Sequence, residues 1–185
     1  MADCDNQQQM DGLINNMYPL INRDNSCCFS GYRPEKLPWG ADESDARCVF
    51  LKERLLDTAE RMIPSGIQHF ICGMARGCDM YFCETALLLR EKHSDVTVEA
   101  AIPYEKQASR WSGEDSARYS RLIRQCDHVT YVGREYSRCC MDRRNRYMVE
   151  SSSILIAVYD GKPGGTKNTV RYAAQRGIEV IEIAP

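Results

Sequence analysis

Ser153-Ile154-Leu155-Ile156-Ala157-Val158-Tyr159, followed by Asp160-Gly161-Lys162-Pro163-Gly164-Gly165-Thr166, decides the fold. The near-continuous apolar run is what a strand buried on both faces requires, and such strands belong to parallel sheets. A glycine-rich loop leaves it. The segment from about Lys167 to Arg176 then reads as a helix capped by Gly177, and Ile178 to Ile183 reads as a last strand.

Upstream, short β-like runs alternate with amphipathic helices. Cys27 to Ser30 is a strand ending at Gly31, and Pro34, Pro38 and Gly40 punctuate the loop after it. A helix is expected from about Ser44 to Met62, stopped by Pro64 and Gly66. Ile67 to Cys72, Val96 to Ile102 and His128 to Val132 read as strands. Asp79 to Lys92, Trp111 to Gln125 and Arg138 to Glu150 read as helices. This alternation predicts an α/β fold, a Rossmann-like, mostly parallel sheet with helices on both faces. Residues 25–185 form that single domain, and 1–24 are a polar lead.

The 185 residues, 43% hydrophobic, suffice for one compact core. Charged residues are 27% and the net charge is -2, a balance that argues against a nucleic-acid partner. No stretch is long and apolar enough to span a bilayer, and the N-terminus lacks the pattern of a signal peptide, so a cytoplasmic location is expected. Ten cysteines without a CxxC spacing, two pairs of them adjacent, read as reduced packing thiols. Three scattered histidines suggest no metal site.

In an open parallel sheet the ligand sits outside the carboxyl ends of the strands. That rule selects the loops after Phe29, Cys72, Ile102 and Tyr159. In Gly73-Met74-Ala75-Arg76-Gly77-Cys78-Asp79, Gly73 and Gly77 permit a sharp turn, and the amides opening the next helix are donors for a phosphate. Arg76 adds a cation, and Asp79 either caps the helix or binds a ribose hydroxyl. In the loop after Tyr159, Gly164, Gly165, Thr166, Asn168 and Thr169 are candidates to surround a phosphate. The plainer alternative is a flexible turn with Thr166 as cap. The spacing is not that of a P-loop. After the first strand, Gly31 permits the turn and Arg33 is a candidate to point into the crevice, the plainer alternative being a surface arginine. Arg134, Arg138, Arg143, Arg144 and Arg146, with Asn145 among them, read mainly as a solvated helix face able to set one arginine over a phosphate.

These loops resemble known motifs. Cys72 to Asp79, with Ala86-Leu87, resembles the "SGLARGID…AL" motif of the DprA/Smf proteins. Met141, Arg144, Met148 and Pro163-Gly164-Gly165 resemble the "MHxRKxxM…PGGxGT" region of the LOG phosphoribohydrolases. Both belong to the SLOG superfamily of Rossmann-like nucleotide-binding proteins. Its YpsA-like branch is matched by Ser30 to Pro34, by the Gly73 loop, by Arg144-Asn145 with Met148-Val149, and by Gly164 to Val170.

The resemblance implies a pocket at the strand ends that takes a nucleotide or ADP-ribose-like ligand without a required cofactor. It also implies pairing of two copies through helices beside the sheet. Arg144 matches the LOG catalytic arginine. The LOG glutamates have no counterpart after Gly165, and Asp79, Glu84 or Asp160 would have to substitute. The first reading is therefore a sensor or ligand-binding protein. The alternatives are a hydrolase of the nucleoside monophosphate N-glycosidic bond and a DprA-like DNA-binding protein. A basic stripe with interleaved aromatics, which the last needs, is not evident.

Overall fold

A computed structural model describes residues 22–185. Most of the polar lead expected over 1–24 lies outside the described residues. The strands are β1 Ser26–Gly31, β2 His69–Cys72, β3 Thr97–Ile102, β4 His128–Tyr131, β5 Ile154–Val158 and β6 Glu179–Ile183. They form one six-stranded sheet in the order β4-β3-β2-β1-β5-β6, parallel throughout. The helices are α1 Ala46–Glu60, α2 Cys78–Lys92, α3 Gly113–Gln125, α4 Cys140–Glu150 and α5 Gly165–Gln175.

The expected α/β alternation holds, and the boundaries shift where a cap decides them. α1 starts at Ala46 because the Asp45 carboxylate accepts the Arg47 amide at 2.8 Å. α3 starts at Gly113, two residues later than expected, because Ser112 Oγ accepts the Asp115 amide at 3.2 Å. α5 starts earlier than expected, at Gly165. Its cap position is Gly164, so Thr166 lies inside the first turn and is buried, and the reading of Thr166 as cap does not hold.

Leu155, Ile156, Ala157 and Val158 are fully buried, as are Cys27, Cys28 and Phe29 on the neighbouring β1. α2 lies against β1 and β2, with Phe82 stacked on Phe29 at 4.6 Å and edge-on to Phe70 at 6.0 Å. Burial of each such side chain contributes about 1.5–3 kcal/mol. The right-handed crossover rule puts α1, α2 and α3 on one face of the sheet and α4 and α5 on the other, and α1 packs on α2 while α4 packs on α5. The chain runs outward from β1 to β4, then crosses back to lay β5 against the other side of β1. The loops after β1 and β5 therefore part toward opposite faces and leave a crevice between them.

The described cysteines Cys27, Cys28, Cys48, Cys72, Cys78, Cys83, Cys126 and Cys140 are thiols. Burial raises the Cys28 thiol to about 12, so it packs as a small apolar group. No helix among the described residues is long and apolar enough to cross a membrane.

Candidate functional site

The β1/β5 crevice opens into a cavity of about 390 Å³ lined by Tyr32, Lys36, Asp160, Lys162 and Pro163. Tyr32 donates its hydroxyl hydrogen to Asp160 Oδ1 at 2.5 Å, and Lys162 Nζ lies 2.6 Å from Asp160 Oδ2. Hydrogen bonds from Lys162 and Tyr32 hold the Asp160 carboxyl well below the usual carboxylate range. Burial, then the bond to Asp160, pushes the Tyr32 phenol up. Lys36 Nζ donates to the Pro163 carbonyl at 3.3 Å and stands 5.3 Å from the Tyr32 ring centroid. The two lysines thus come from opposite walls of one opening.

Beside Pro163 lies the N-terminus of α5. A Cβ built on Gly165 meets nothing within 4 Å, so the backbone there faces open space. The first amides of a helix have no intrahelical acceptor, and they carry the positive end of its dipole. Lys36 also reaches the surface of Gly164. Gly164 and Gly165 therefore lie next to the cavity-lining Pro163, whereas Thr166 is buried in the first turn of α5. The Arg33 side chain is exposed on the β1 loop, and its charge acts on both Asp79 and Arg144.

The Gly73–Gly77 loop is built differently from the sequence reading. The amides of Gly31 and Ala75 are donated to Asp79, at 3.2 and 3.1 Å, and the Cys78 amide to the Tyr32 carbonyl, at 3.1 Å. Of the helix-opening donors expected to hold a phosphate, the Cys78 and Met80 amides are thus occupied, and the Asp79 carboxylate itself takes the amides of Gly31 and Ala75. Gly77, at φ +79°, runs against Pro34 Cδ and the Tyr32 carbonyl, each 2.9 Å from where a Cβ would be. Met74 is fully buried at φ 58°, and its carbonyl accepts from Gln107 Nε2 at 2.6 Å. Arg76 is paired with Glu35 and, at 3.3 Å, with Asp115. Through Gly77 and Cys78 this loop packs on the β1 loop that lines the crevice and so forms a floor behind it.

Arg144 enters the floor from the opposite helix layer. Its guanidinium donates to the Gly73 carbonyl and lies 3.7 Å from Asp79 Oδ2. Desolvation pulls the Arg144 pKa down and the Asp79 pKa up, each partly offset by the other's charge. Arg144 Nε donates to Asn145 Oδ1 at 2.9 Å, Asn145 Nδ2 to Thr169 Oγ1 at 2.9 Å, and Thr169 Oγ1 to the Gly165 carbonyl at 3.0 Å. A continuous hydrogen-bonded line therefore joins the Gly73 loop to the first turn of α5.

Two sequence candidates fall elsewhere. Asn168 lines a separate groove between α4 and α5 with Asp142, Arg146, Arg171, Tyr172 and Gln175. Glu84 is held by Arg118, at 2.8 and 2.6 Å, in a network with Glu43. Of the three carboxylates considered as substitutes, Asp160 is the one that lines the cavity. Lys36, Lys162 and Pro163 were not among the site residues read from the sequence, nor was Tyr32, although it lies inside the first matched motif.

Fold and crevice define a Rossmann-like α/β protein whose open site is the switch point of the sheet. The YpsA family model, described as the YspA SLOG family, matches residues 27–180, and the chain belongs to that family. It is 32% identical over 136 residues to the SPbeta prophage-derived protein YoqJ of Bacillus subtilis (strain 168), covering 66% of this chain and 80% of that one. It is 26% identical over 152 residues to a UPF0398 protein of Bacillus thuringiensis (strain Al Hakam), covering 80% of this chain and 82% of that one. Among solved structures, DNA processing protein A of Streptococcus pneumoniae is similar with a TM-score of 0.58 at 16% identity, over 86% of this chain and 50% of that one. The single-stranded-DNA-binding DNA processing protein A of Helicobacter pylori is similar with a TM-score of 0.59 at 13% identity, over 88% of this chain and 66% of that one. This chain thus spans half of the first of these proteins and about two thirds of the second, and at these identities the likeness is one of fold.

Proposed function

We propose that the chain binds a nucleotide or a nucleotide-derived phosphorylated ligand, such as an ADP-ribose-like molecule, in the β1/β5 crevice, as a sensor or ligand-binding protein. The observation that carries this reading is the cavity of about 390 Å³ at the switch point, with Lys36 and Lys162 on opposite walls and the open Gly165 end of α5 beside it. The volume falls in the range of small-molecule sites, about 300–1,000 Å³. Ammonium groups and a helix N-terminus favour an anion. Asp160, held ionised, accepts hydrogen bonds and suits the hydroxyls of a sugar. Isothermal titration with nucleoside monophosphates, ADP-ribose and inorganic phosphate tests this. Binding that weakens at least tenfold in Lys162→Ala is the expected result, and flat traces with every compound contradict it.

The hydrolase reading rests on Asp160, since it is a carboxylate at an open cavity. Two features favour binding over turnover. Lys162 neutralises Asp160 at 2.6 Å, and Arg144 is walled off beneath Gly73. Free base released from a nucleoside monophosphate, and abolished in Asp160→Asn, would replace the binding reading with the hydrolytic one.

Composition argued against a nucleic-acid partner. The fold shared with a protein named for its single-stranded DNA binding mode makes that argument doubtful. Single-stranded DNA is therefore a further candidate for the same edge, tested by gel shift across salt concentrations.

A further inference from the structure

The arginines Arg134 and Arg138, which the crevice does not use, flank Tyr136 in the loop after β4. Tyr136 is 68% exposed, and its ring meets that of Tyr104, from the loop after β3, at 5.5 Å and 78°. A T-shaped contact engages one edge or face of a ring and leaves the rest open.

The loop that presents this ring is anchored. The Glu105 amide donates to the Arg134 carbonyl at 3.4 Å, Arg143 donates to Ser137 Oγ at 3.2 Å, and the Cys140 amide donates to the Ser137 carbonyl at 3.2 Å. A Cβ on Gly133 would stand 3.0 Å from the Pro103 carbonyl, so the two loops touch there. Arg134, Arg138 and Lys106 are exposed, and their side chains have no hydrogen-bond or ion-pair partner among the described residues. Glu105 and Glu135 are exposed in the same loops and leave one net positive charge among these five side chains.

We infer that the paired loops after β3 and β4 form a stacking subsite for a nucleobase, with Tyr136 under the base and Arg134 and Arg138 beside the adjoining phosphates. Aromatic rings interleaved with cations are how proteins hold unpaired bases without reading sequence. The subsite and the crevice lie on the same carboxyl edge, three strand positions apart, which is about 14 Å at 4.7–4.9 Å per strand. That exceeds the reach from a base to its own 5′-phosphate. The inference rests on the crevice reading for one end of the ligand and extends it. A ligand that fills both places is longer than a nucleoside monophosphate, as a free dinucleotide or a short single strand is.

The test is fluorescence polarisation of the full chain with a labelled thymidine hexanucleotide, beside calorimetry with AMP and with nicotinamide adenine dinucleotide. Tyr136 is exposed, so its substitution leaves the fold intact. Tyr136→Ala is expected to weaken binding of the hexanucleotide or the dinucleotide by at least tenfold, with Tyr136→Phe within twofold of wild type and AMP unaffected. Whichever ligand responds identifies the source. Equal affinity of Tyr136→Ala and wild type for both longer ligands overturns the subsite, as does binding of AMP alone. Loss of hexanucleotide binding in Tyr136→Ala, in a protein where AMP never binds and Lys162→Ala is silent, upholds the stacking subsite and removes the crevice reading.

Discussion

The guanidinium of Arg144 on α4 lies 3.7 Å from the carboxylate of Asp79 on α2, and both side chains are only 6% exposed. Helices from opposite faces of the sheet thus meet through its carboxyl edge, beneath Gly73. Each charge is expensive to bury alone and tolerable only in the other's presence. Arg144→Ala leaves Asp79 as an uncompensated buried carboxylate and should lower the unfolding free energy by about 3–5 kcal/mol, measured by urea denaturation. Replacing both residues, as in Asp79→Leu with Arg144→Met, should cost less than Arg144→Ala alone. If Arg144→Ala instead retains full stability, the pair is not what holds the floor, and a catalytic role for Arg144 regains ground.

Asn145 transmits the position of Arg144 to α5 through Thr169. A double-mutant cycle of Asn145→Ala and Thr169→Val should show a coupling of about 1 kcal/mol in stability, the scale of one intramolecular hydrogen bond. Additive effects would mean that the line through the two helices is not an energetic unit.

The two glycines of the site differ in what surrounds them. Gly77 combines φ +79° with a backbone oxygen and a proline ring where a Cβ would sit, so Gly77→Ala should destabilise by about 2 kcal/mol or more. Gly165 opens a helix and has free space, and Gly165→Ala should be neutral or stabilising by up to about 1 kcal/mol. Melting temperatures of the two variants side by side check the contrast.

Acid stability is set in part far from the crevice. Glu99 is fully buried, sharing a hydrogen bond with His69 Nε2 at 3.0 Å and accepting one from the Tyr147 hydroxyl at 2.7 Å. Burial pushes its carboxyl up, but hydrogen bonds from His69, Thr130 and Tyr147 outweigh it and hold the carboxyl below the ordinary 4.5. A depressed folded value means that this stabilisation is present above the ordinary glutamate value and is lost as pH falls through the lower folded one. Asp79, whose pKa is raised, acts in the opposite sense. Unfolding free energies measured from pH 6 downward should fall below about pH 4.5, and less steeply in Glu99→Gln. A Glu99→Gln curve parallel to wild type would contradict the assignment.

Much of this architecture is written locally. Ile154 to Val158 is apolar without interruption because both its faces are covered, and each strand ends near a glycine or proline that marks its carboxyl edge. The loops after β1 and β5, whose residues line the cavity, were for that reason among the four legible as candidate site loops. The lining between them was not. Tyr32 and Asp160 meet across 128 residues, and Lys36 and Pro163 across 127, so no spacing rule links them. The part played by Asp79 was hidden in the same way. An acid in the first turn of a helix reads as a cap or a ribose contact, whereas its partners include, besides the nearby Ala75 amide, the amide of Gly31, 48 residues away, and a guanidinium from the other face of the sheet.

Gly165→Asp tests the crevice most directly. The new side chain would enter open space at the start of α5, where a carboxylate is favoured by the helix dipole, so the variant should fold with unchanged or slightly raised stability. The same carboxylate would stand where the ligand's phosphate is proposed to sit. In a thermal-shift screen of nucleoside monophosphates, ADP-ribose and nicotinamide dinucleotides, at least one compound should raise the melting temperature of wild type and leave Gly165→Asp unmoved. A ligand that stabilises both proteins equally would place its site away from the end of α5 and contradict the account.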